Sequence, residues 1–574
     1  MVLQVVKFRH HFRQRFSPLS NFLVCKFTTS PPPPPPPPSS PPSSGHFITT
    51  PIFYVNAQPH IGHLYTSVVA DTYHRYRKLQ RPTEGEGGLP PIFSTGTDEH
   101  GMKIEKAAKK EGLPDGKTIL HCDKVSKSFR DMTQQFSIDC TDFVRTTEPR
   151  HFKAVSHFWE KLHDQGHIYK SEYQGWYSIA DEAFIPESNL IEKVDGKGGT
   201  IKVSEESGHP VEWTKEENYI FKLTKFLPDV SHWIKTCNPI KPEKFADILL
   251  RWIDEGFEDL SVSRPKSRLS WGIPVPKDDT QVIYVWLDAL VNYLTVAGYP
   301  DKLNQWPPTL QVVGKDIIKF HGIYWPAFLM AAGLEPPKEI LCHSHWTIDG
   351  KKMSKSLGNV VDPFELGKTY GTDGLRYFLL REGTPQSDAN FTEEKMRRML
   401  NAELADTFGN LLSRCSGKLV NPGQKWPDWD HQNFPDALGQ HGTALKESLE
   451  SLPDKVETSY NEFIFYRGLE HIMTTIRLAN LYVEDTKPWA LAKTAPSDPV
   501  LLSMLSLVFE TLRITSILTF PVMPNLSSSV LDRLNVAPTE RNWASLKNFI
   551  WEKQEASDRS LGPVHNVLYK RIRL

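Results

Sequence analysis

Pro59-His60-Ile61-Gly62-His63 is the stretch that decides the fold. It follows the apolar run Phe47 to Val55 and precedes a helical pattern from Leu64 to Leu79. Where a strand turns into a helix, free backbone N–H groups and the positive end of the helix dipole point outward, and an α/β sheet uses such a turn to hold phosphate. This loop lacks the usual glycine fingerprint and offers two imidazoles around one glycine instead. Imidazole N–H groups donate to a phosphate oxygen that gains charge in a transition state, and Gly62 leaves room for a nucleotide. Alone, a His-x-x-His pair is commonplace, and as a metal site it lacks a third ligand nearby.

Working outward, Ile92-Phe-Ser-Thr95 reads as a second strand ending in the polar turn Gly96-Thr-Asp98-Glu-His-Gly101. Neighbouring strands of a doubly wound sheet keep ligands at their carboxyl ends, so Asp98 and His63 are expected in one crevice. Further strands are predicted over Gln281–Leu287, Leu310–Gly314 and Glu339–Trp346. The last leads into Asp349-Gly350 and the lysine-rich turn Lys351-Lys352-Met353-Ser354-Lys355-Ser356. Between them, residues 171–235 are dense in Gly, Asp, Glu and Lys and read as a segment inserted into the sheet. From Glu393 the period becomes helical: Met396, Leu400, Leu404, Phe408, Leu411, Cys415 and Leu419 mark one face of a long amphipathic helix. Tyr460–Tyr482 and Leu501–Thr519 repeat the pattern, and Pro488 reads as a helix start. The predicted organisation is a leader and Pro-rich spacer (1–45), a parallel-sheet core in two halves (46–170 and 236–392) split by the insertion (171–235), and an all-α bundle (393–574).

Composition narrows the class. The 574 residues are 39% hydrophobic and 24% charged, a globular mixture long enough for about three or four domains. Residues 1–70 hold no acid, and residues 1–45 carry Lys7, Arg9, Arg13, Arg15 and Lys26 before and within a run into Pro31–Pro38. Basic, acid-free and moderately apolar, this start reads as an organelle transit peptide for mitochondrion or chloroplast, followed by a stiff spacer. The body beyond it is slightly acidic, so bulk charge makes no case for nucleic acid and any RNA contact must be local. Six scattered cysteines give neither a disulfide framework nor a Cys-x-x-Cys knuckle. No apolar run free of charge reaches membrane-spanning length; Leu501–Phe520 comes closest but contains Glu510 and Arg513, so a soluble protein without a membrane partner is expected.

The lysine turn is weak evidence alone. A mobile loop carrying Lys352 and Lys355 nevertheless suits the clamping of a triphosphate and the neutralising of departing pyrophosphate. Together, in this order and about 290 residues apart, His60–His63 and Lys352–Ser356 resemble the two defining motifs of class I aminoacyl-tRNA synthetases. The resemblance implies an α/β Rossmann-like catalytic core with a parallel sheet, an inserted connective segment, and an all-α anticodon-binding bundle. It also implies activation of an amino acid by ATP and transfer to tRNA.

Within the class, Thr49-Thr-Pro-Ile-Phe-Tyr-Val-Asn-Ala-Gln-Pro59, Gly96–Gly101, Ser263–Arg268, Trp271–Pro274 and Tyr284–Ala289 look like the methionyl-tRNA synthetases, from about residue 47 to 560. By that resemblance Ile52, through its carbonyl, and Asp98, through its carboxylate, hold the α-amino group of methionine. Tyr54, Trp286, Ala289, Leu290, Tyr293, Ile317, His321 and Trp325 form or close the side-chain pocket. A soft, apolar thioether suits aromatic walls and one weak donor, here His321 or Tyr54. ATP, with Mg²⁺, falls to His60, Gly62, His63, Gly314, Lys315, Asp316, Lys352, Met353, Ser354, Lys355 and Ser356, with Lys355 the first choice for stabilising the transition state. Asn410 and Arg414, four apart on one helical face, and Trp489 match residues that read the tRNA(Met) anticodon by hydrogen bonds and stacking.

Many relatives carry a cysteine zinc knuckle in the insertion. Here residues 176–210 have no cysteine, and Ser178 and Asp181 stand where ligands are expected, so no structural zinc is predicted. Because the chain ends soon after the bundle, a monomer is expected. Synthetases for valine, isoleucine or leucine need a large editing domain, for which the insertion is too short. A cysteinyl enzyme needs active-site zinc ligands that are not evident, and a non-catalytic RNA-binding paralogue is expected to have lost a histidine or a loop lysine.

Overall fold

The computed structural model describes residues 45–81, 89–114, 116–179, 183–185, 187–194, 199–205, 207–353, 358–427, 438–552, 559–563 and 567–573. The predicted leader, and Ser354, Lys355 and Ser356 of the lysine turn, lie outside these residues.

Six strands, numbered here in chain order, form one parallel sheet: β1 (Phe47–Tyr54), β2 (Ile92–Asp98), β3 (Asp142–Arg145), β4 (Ile240–Lys241), β5 (Leu310–Gly314) and β6 (Ile340–His343). Their order across the sheet is β3-β2-β1-β5-β6-β4. Since every pairing is parallel, all carboxyl ends share one edge. The order reverses between β1 and β5, which makes their carboxyl ends the switch point where such sheets bind ligands. Pro51 lacks an N–H for the ladder, and the β1–β2 register shifts between Thr49 and Ile52. Beyond the shift Ile52 faces Gly96 and Tyr54 faces Asp98. Gly96 is required for strand approach, because a Cβ there would lie 1.9 Å from the Val144 carbonyl oxygen.

The helix after β1, α1, spans Ile61–Leu79, three residues earlier than the apolar pattern suggests. Its first turn contains no acidic residue and is capped by histidines, a type that capping statistics do not favour. Two other expectations need adjusting. Only Asp278–Ile283 of the predicted Gln281–Leu287 strand is extended, and Val285–Leu290 is helical. The long helix runs from Glu393 to Ser416 but is π-helical over Asn401–Gly409. Apolar steps of four outrun the 3.6 residues of an α-turn, and the wider π turns return the stripe to the core. Met396, Leu400, Leu404, Phe408, Leu411 and Cys415 of the stripe are buried, whereas Leu419, past the end of the helix at Gly417, is 64% exposed.

The predicted insertion contributes to a four-stranded antiparallel sheet in the order Leu260–Ser261, Glu212–Phe221, Ile168–Ser178 and Ala183–Ile185, whose outer strand Leu260–Ser261 lies beyond residue 235, and it carries a separate hairpin of Leu190–Val194 and Thr200–Ser204. At the position considered for zinc, Trp176 packs edge-on against Trp213 and beneath the Lys202 ammonium. Ser178 is buried at a strand end, and Asp181 lies outside the described residues.

The C-terminal helices include Gly439–Asn461, Phe465–Thr486, Pro499–Thr519 and Pro524–Arg533. By length and composition Pro499–Thr519 could cross a membrane, which qualifies the sequence expectation, but 89% of its apolar window is buried inside the protein. Its two charges cancel in a buried fork, with Arg513 donating to both Glu510 oxygens at 2.7 and 2.8 Å. Bundle and sheet are joined by Arg376, fully buried. It donates to Asp71 Oδ2 on α1 (2.6 Å), to the Phe136 carbonyl, and to the Pro521 and Val522 carbonyls. Losing either partner would strand a buried charge, typically at a cost of about 3–5 kcal/mol.

Candidate active site

The site is built on the shared carboxyl edge of β1, β2, β5 and β6. At the start of α1, His60 Nδ1 accepts the Gly62 N–H (3.0 Å) and His63 Nδ1 accepts the His60 N–H (3.1 Å). The rings stack with centroids 3.8 Å apart. A nitrogen that accepts a backbone N–H carries no proton, so each neutral ring bears its hydrogen on Nε2 and is a donor there. Burial, with His345 and Lys352 nearby, lowers the His60 pKa to about 4. Burial and the adjacent His60 likewise lower that of His63. Both are therefore neutral donors at physiological pH. Gly62 leaves space for the His60 ring itself, since a Cβ would sit 2.8 Å from its Cε1.

The two distant motifs meet here. The Ile61 N–H donates to the Val361 carbonyl (3.1 Å), just beyond the lysine turn, so helix start and loop return share a backbone bond. Lys352 Nζ lies 2.5 Å from Asp316 Oδ2, and His345 contacts the other oxygen at 3.1 Å. Burial pushes the Asp316 pKa up, but its bonds to His345 and Lys352 outweigh this and hold the carboxyl below its ordinary range. Lys315, directly after Gly314, pairs with Asp388 at 2.8 Å. His345 and Asp388 were not singled out in the sequence, although His343-Ser-His345 at a strand's carboxyl end was a usable signal. Met353 is half-buried at the last described position before the loop.

The turn after β2 puts one side chain to each task. Asp98 closes the strand level with Tyr54. Glu99 points back to Arg145, Thr97 and Thr147 at 2.6–3.0 Å. His100 Nδ1 reaches Asp288 Oδ2 at 2.6 Å. Gly101, at φ +111°, donates to the Trp271 carbonyl, and the Trp271 indole N–H donates to the Glu99 carbonyl.

Ala289, Leu290, Tyr293, His321 and Trp325 are buried, with Ile317 half-buried. His321 Nδ1 donates to the Ile317 carbonyl at 2.9 Å, which leaves Nε2 to accept the Tyr293 hydroxyl hydrogen at 2.8 Å. Burial lowers the His321 pKa to about 4, against the pull of the carbonyl. Both its nitrogens are thus engaged within the protein, and neither donates to a thioether in this arrangement. The Tyr293 and Trp325 rings lie 6.0 Å apart. Trp286 stacks face to face on Phe320 with centroids 3.5 Å apart. Phe320 was missed in the sequence, where its place next to His321 was the available signal.

A family profile described as tRNA synthetases class I (M) matches residues 46–416. The human mitochondrial methionine–tRNA ligase is 47% identical over 543 residues, covering 92% of this chain and 90% of the relative. The chain belongs to the class I methionine–tRNA ligases. A probable mitochondrial member from Dictyostelium discoideum is 42% identical and covers 86% of the chain. Among solved structures, Mycobacterium tuberculosis methionyl-tRNA synthetase in complex with methionyl-adenylate superposes with a TM-score of 0.83, at 34% identity over 92% of this chain and all of that one. The apo form of that synthetase gives 0.77 at 31% identity over 92% of this chain and 99% of that one.

In this methionine–tRNA ligase the helical domain places Arg414 4.9 Å from the centre of the Trp489 ring. Its guanidinium is ion-paired with Glu484 at 2.5 Å. Trp489, which alone would be taken for a core residue, is only half-buried at the start of the helix Pro488–Thr494, and Asn410 is exposed one turn before Arg414.

Among the described residues no group of three His, Cys, Asp or Glu side chains could hold a metal ion.

Proposed function

We propose that the chain charges tRNA(Met) with methionine in two steps within the crevice between β1 and β5. Methionine's carboxylate oxygen attacks the α-phosphorus of ATP, forming methionyl-adenylate and releasing pyrophosphate. The terminal ribose hydroxyl of tRNA(Met) then attacks the adenylate carbonyl and releases AMP. The site contributes position and charge rather than a nucleophile. Asp98 and the Ile52 carbonyl take the α-ammonium. Tyr54, Trp286, Ala289, Leu290, Tyr293, Ile317, His321 and Trp325 enclose the side chain.

His60 and His63 donate through Nε2–H to the α-phosphate as its charge grows. Being neutral, they supply hydrogen bonds without a charged ground-state grip, which favours the transition state. Gly314 and Asp316 border the nucleotide. Lys315 and Lys352 border the polyphosphate path, where ATP competes with Asp388 and Asp316 for them, and Lys355 is the residue we assign to charge stabilisation in the transition state. Mg²⁺ would arrive on the ATP phosphates, in keeping with its usual reliance on substrate oxygens. Asn410, Arg414 and Trp489 receive the anticodon. The protein acts as a monomer, and the leader and spacer of residues 1–45 direct it to the mitochondrion, with the chloroplast as the alternative address for that leader.

The observation that carries this reading is the backbone bond Ile61 N–H to Val361, which joins the histidine motif to the lysine loop. Amino-acid-dependent ATP–pyrophosphate exchange tests it. Methionine alone among the twenty amino acids should support exchange, and activation of another residue in its place would refute the substrate.

A further inference from the structure

The strongest unexplained feature is a carboxylate that faces no substrate group. Asp288 is completely buried, and each of its oxygens meets an imidazole: Oδ2 meets His100 Nδ1 at 2.6 Å and Oδ1 meets His151 Nε2 at 2.7 Å. His151 is itself fully buried, and its Nδ1 lies 2.9 Å from the Thr295 hydroxyl. Since a carboxylate only accepts, a neutral His151 donates to Asp288 from Nε2 and accepts the Thr295 hydroxyl hydrogen at Nδ1. The bridge Thr295–His151–Asp288–His100 therefore ties together the turn after β2, the helix Pro149–Asp164, the helix Val285–Leu290 and the helix Asn292–Val296. Removing one member of a buried network leaves the others desolvated and unpaired, so the bridge is held as a unit.

The placement of its two ends has a consequence. His100 is two residues from Asp98, which takes the substrate ammonium. Asp288 lies between Trp286 and Ala289, and Thr295 is two residues from Tyr293, all three on the wall that takes the substrate side chain. We infer that Asp288 is a positioning residue that sets the distance between the ammonium anchor and the far wall of the side-chain pocket, and so selects amino acids by side-chain length. This rests on the site reading above. A rigid spacing is what such a pocket needs, because one methylene in a loosely held apolar site gives only about 10- to 200-fold discrimination.

The test uses the full-length protein in ATP–pyrophosphate exchange, with methionine and with ethionine, its one-carbon-longer thioether homologue. Asp288→Asn should raise KM for methionine by about tenfold and narrow the methionine-to-ethionine kcat/KM ratio by a similar factor, the scale of a one-methylene change. KM for ATP and kcat should stay within about twofold to threefold, as expected when only ground-state binding is altered. Equal losses for both amino acids and for ATP, or wild-type ratios throughout, would overturn the inference. If Asp288→Asn does not fold, the distal pair decides. Thr295→Val should shift KM and the ratio in the same direction, while Thr295→Ser restores both, and identical behaviour of the two would reject the bridge. Asp98→Asn separates the levels. A normal methionine KM in that variant refutes the site reading, whereas a defect there beside wild-type Asp288→Asn and Thr295→Val refutes only the bridge.

Discussion

The crevice at the end of β1 and the surface platform around Trp489 are built in opposite ways, which suits the different substrates proposed for them. In the crevice the polar groups are each held by another, whether half-buried, as His60 and His63 are against backbone N–H groups, or fully buried, as His321 is by Tyr293 and Ile317 and Asp288 by two imidazoles. On the platform Arg414 and Trp489 are half-exposed, with one cation–π contact and one ion pair between them and their neighbours. Adenylate chemistry needs atoms held in a fixed geometry, so the crevice spends its side chains on holding one another. Reading splayed bases needs faces to stack on, and an exposed ring suffices.

The comparison breaks most easily at the crevice. Asp98→Asn should lower methionine kcat/KM in pyrophosphate exchange by about 100- to 1,000-fold, the scale for losing a preorganised electrostatic contact. A loss below tenfold would show that the ammonium is held elsewhere.

Acid should also act on the crevice first. His60, His321 and His343 are lowered by burial to about 4, and His63 is lowered as well. A histidine lowered in the folded state binds its proton more readily when unfolded. Stability is therefore complete above the ordinary value near 6.5 and declines as pH falls toward 4. Thermal melts should show that decline over this window, with the exchange rate free of any histidine step between pH 6.5 and 8. A step there would mean that one of the motif histidines works charged.

The platform should respond separately. Trp489→Ala should cut kcat/KM for tRNA charging by about 5- to 150-fold, the worth of one stacked base, and leave exchange untouched. Equal losses in both assays would make Trp489 a structural residue. The smallest effect is expected at Leu419, where replacement by Ser should change stability by less than about 0.5 kcal/mol, measured by denaturant titration. A larger loss would return Leu419 to the apolar stripe.

How far each region was legible follows from the range of its interactions. The switch from β1 to α1, the carboxyl-edge placement of Asp98 and Gly314, and the pairing of histidine and lysine motifs rest on local patterns, and the chain displays them openly. Val285–Leu287 was misread as strand because a short, continuous apolar run has no period to distinguish strand from helix. The π turns over Asn401–Gly409 were hidden because a sequence stripe reports which side chains are apolar, not how the backbone keeps them aligned. His100, His151 and Asp288 come from three separate elements, with 188 and 137 residues between bonded partners, and only the fold brings them together. His60 and His63 were legible as donors, while the nitrogen that donates became evident only from the backbone bonds at Nδ1.

The most direct test of the central claim is a crystal structure of the full chain with a non-hydrolysable methionyl-adenylate analogue. The account predicts the α-ammonium on Asp98 and the Ile52 carbonyl, the thioether among Ala289, Tyr293 and Trp325, and the phosphate-mimicking group within hydrogen-bond distance of Nε2 of His60 or His63. An analogue bound away from the β1–β5 switch point, or with Nδ1 rather than Nε2 facing it, would contradict the account.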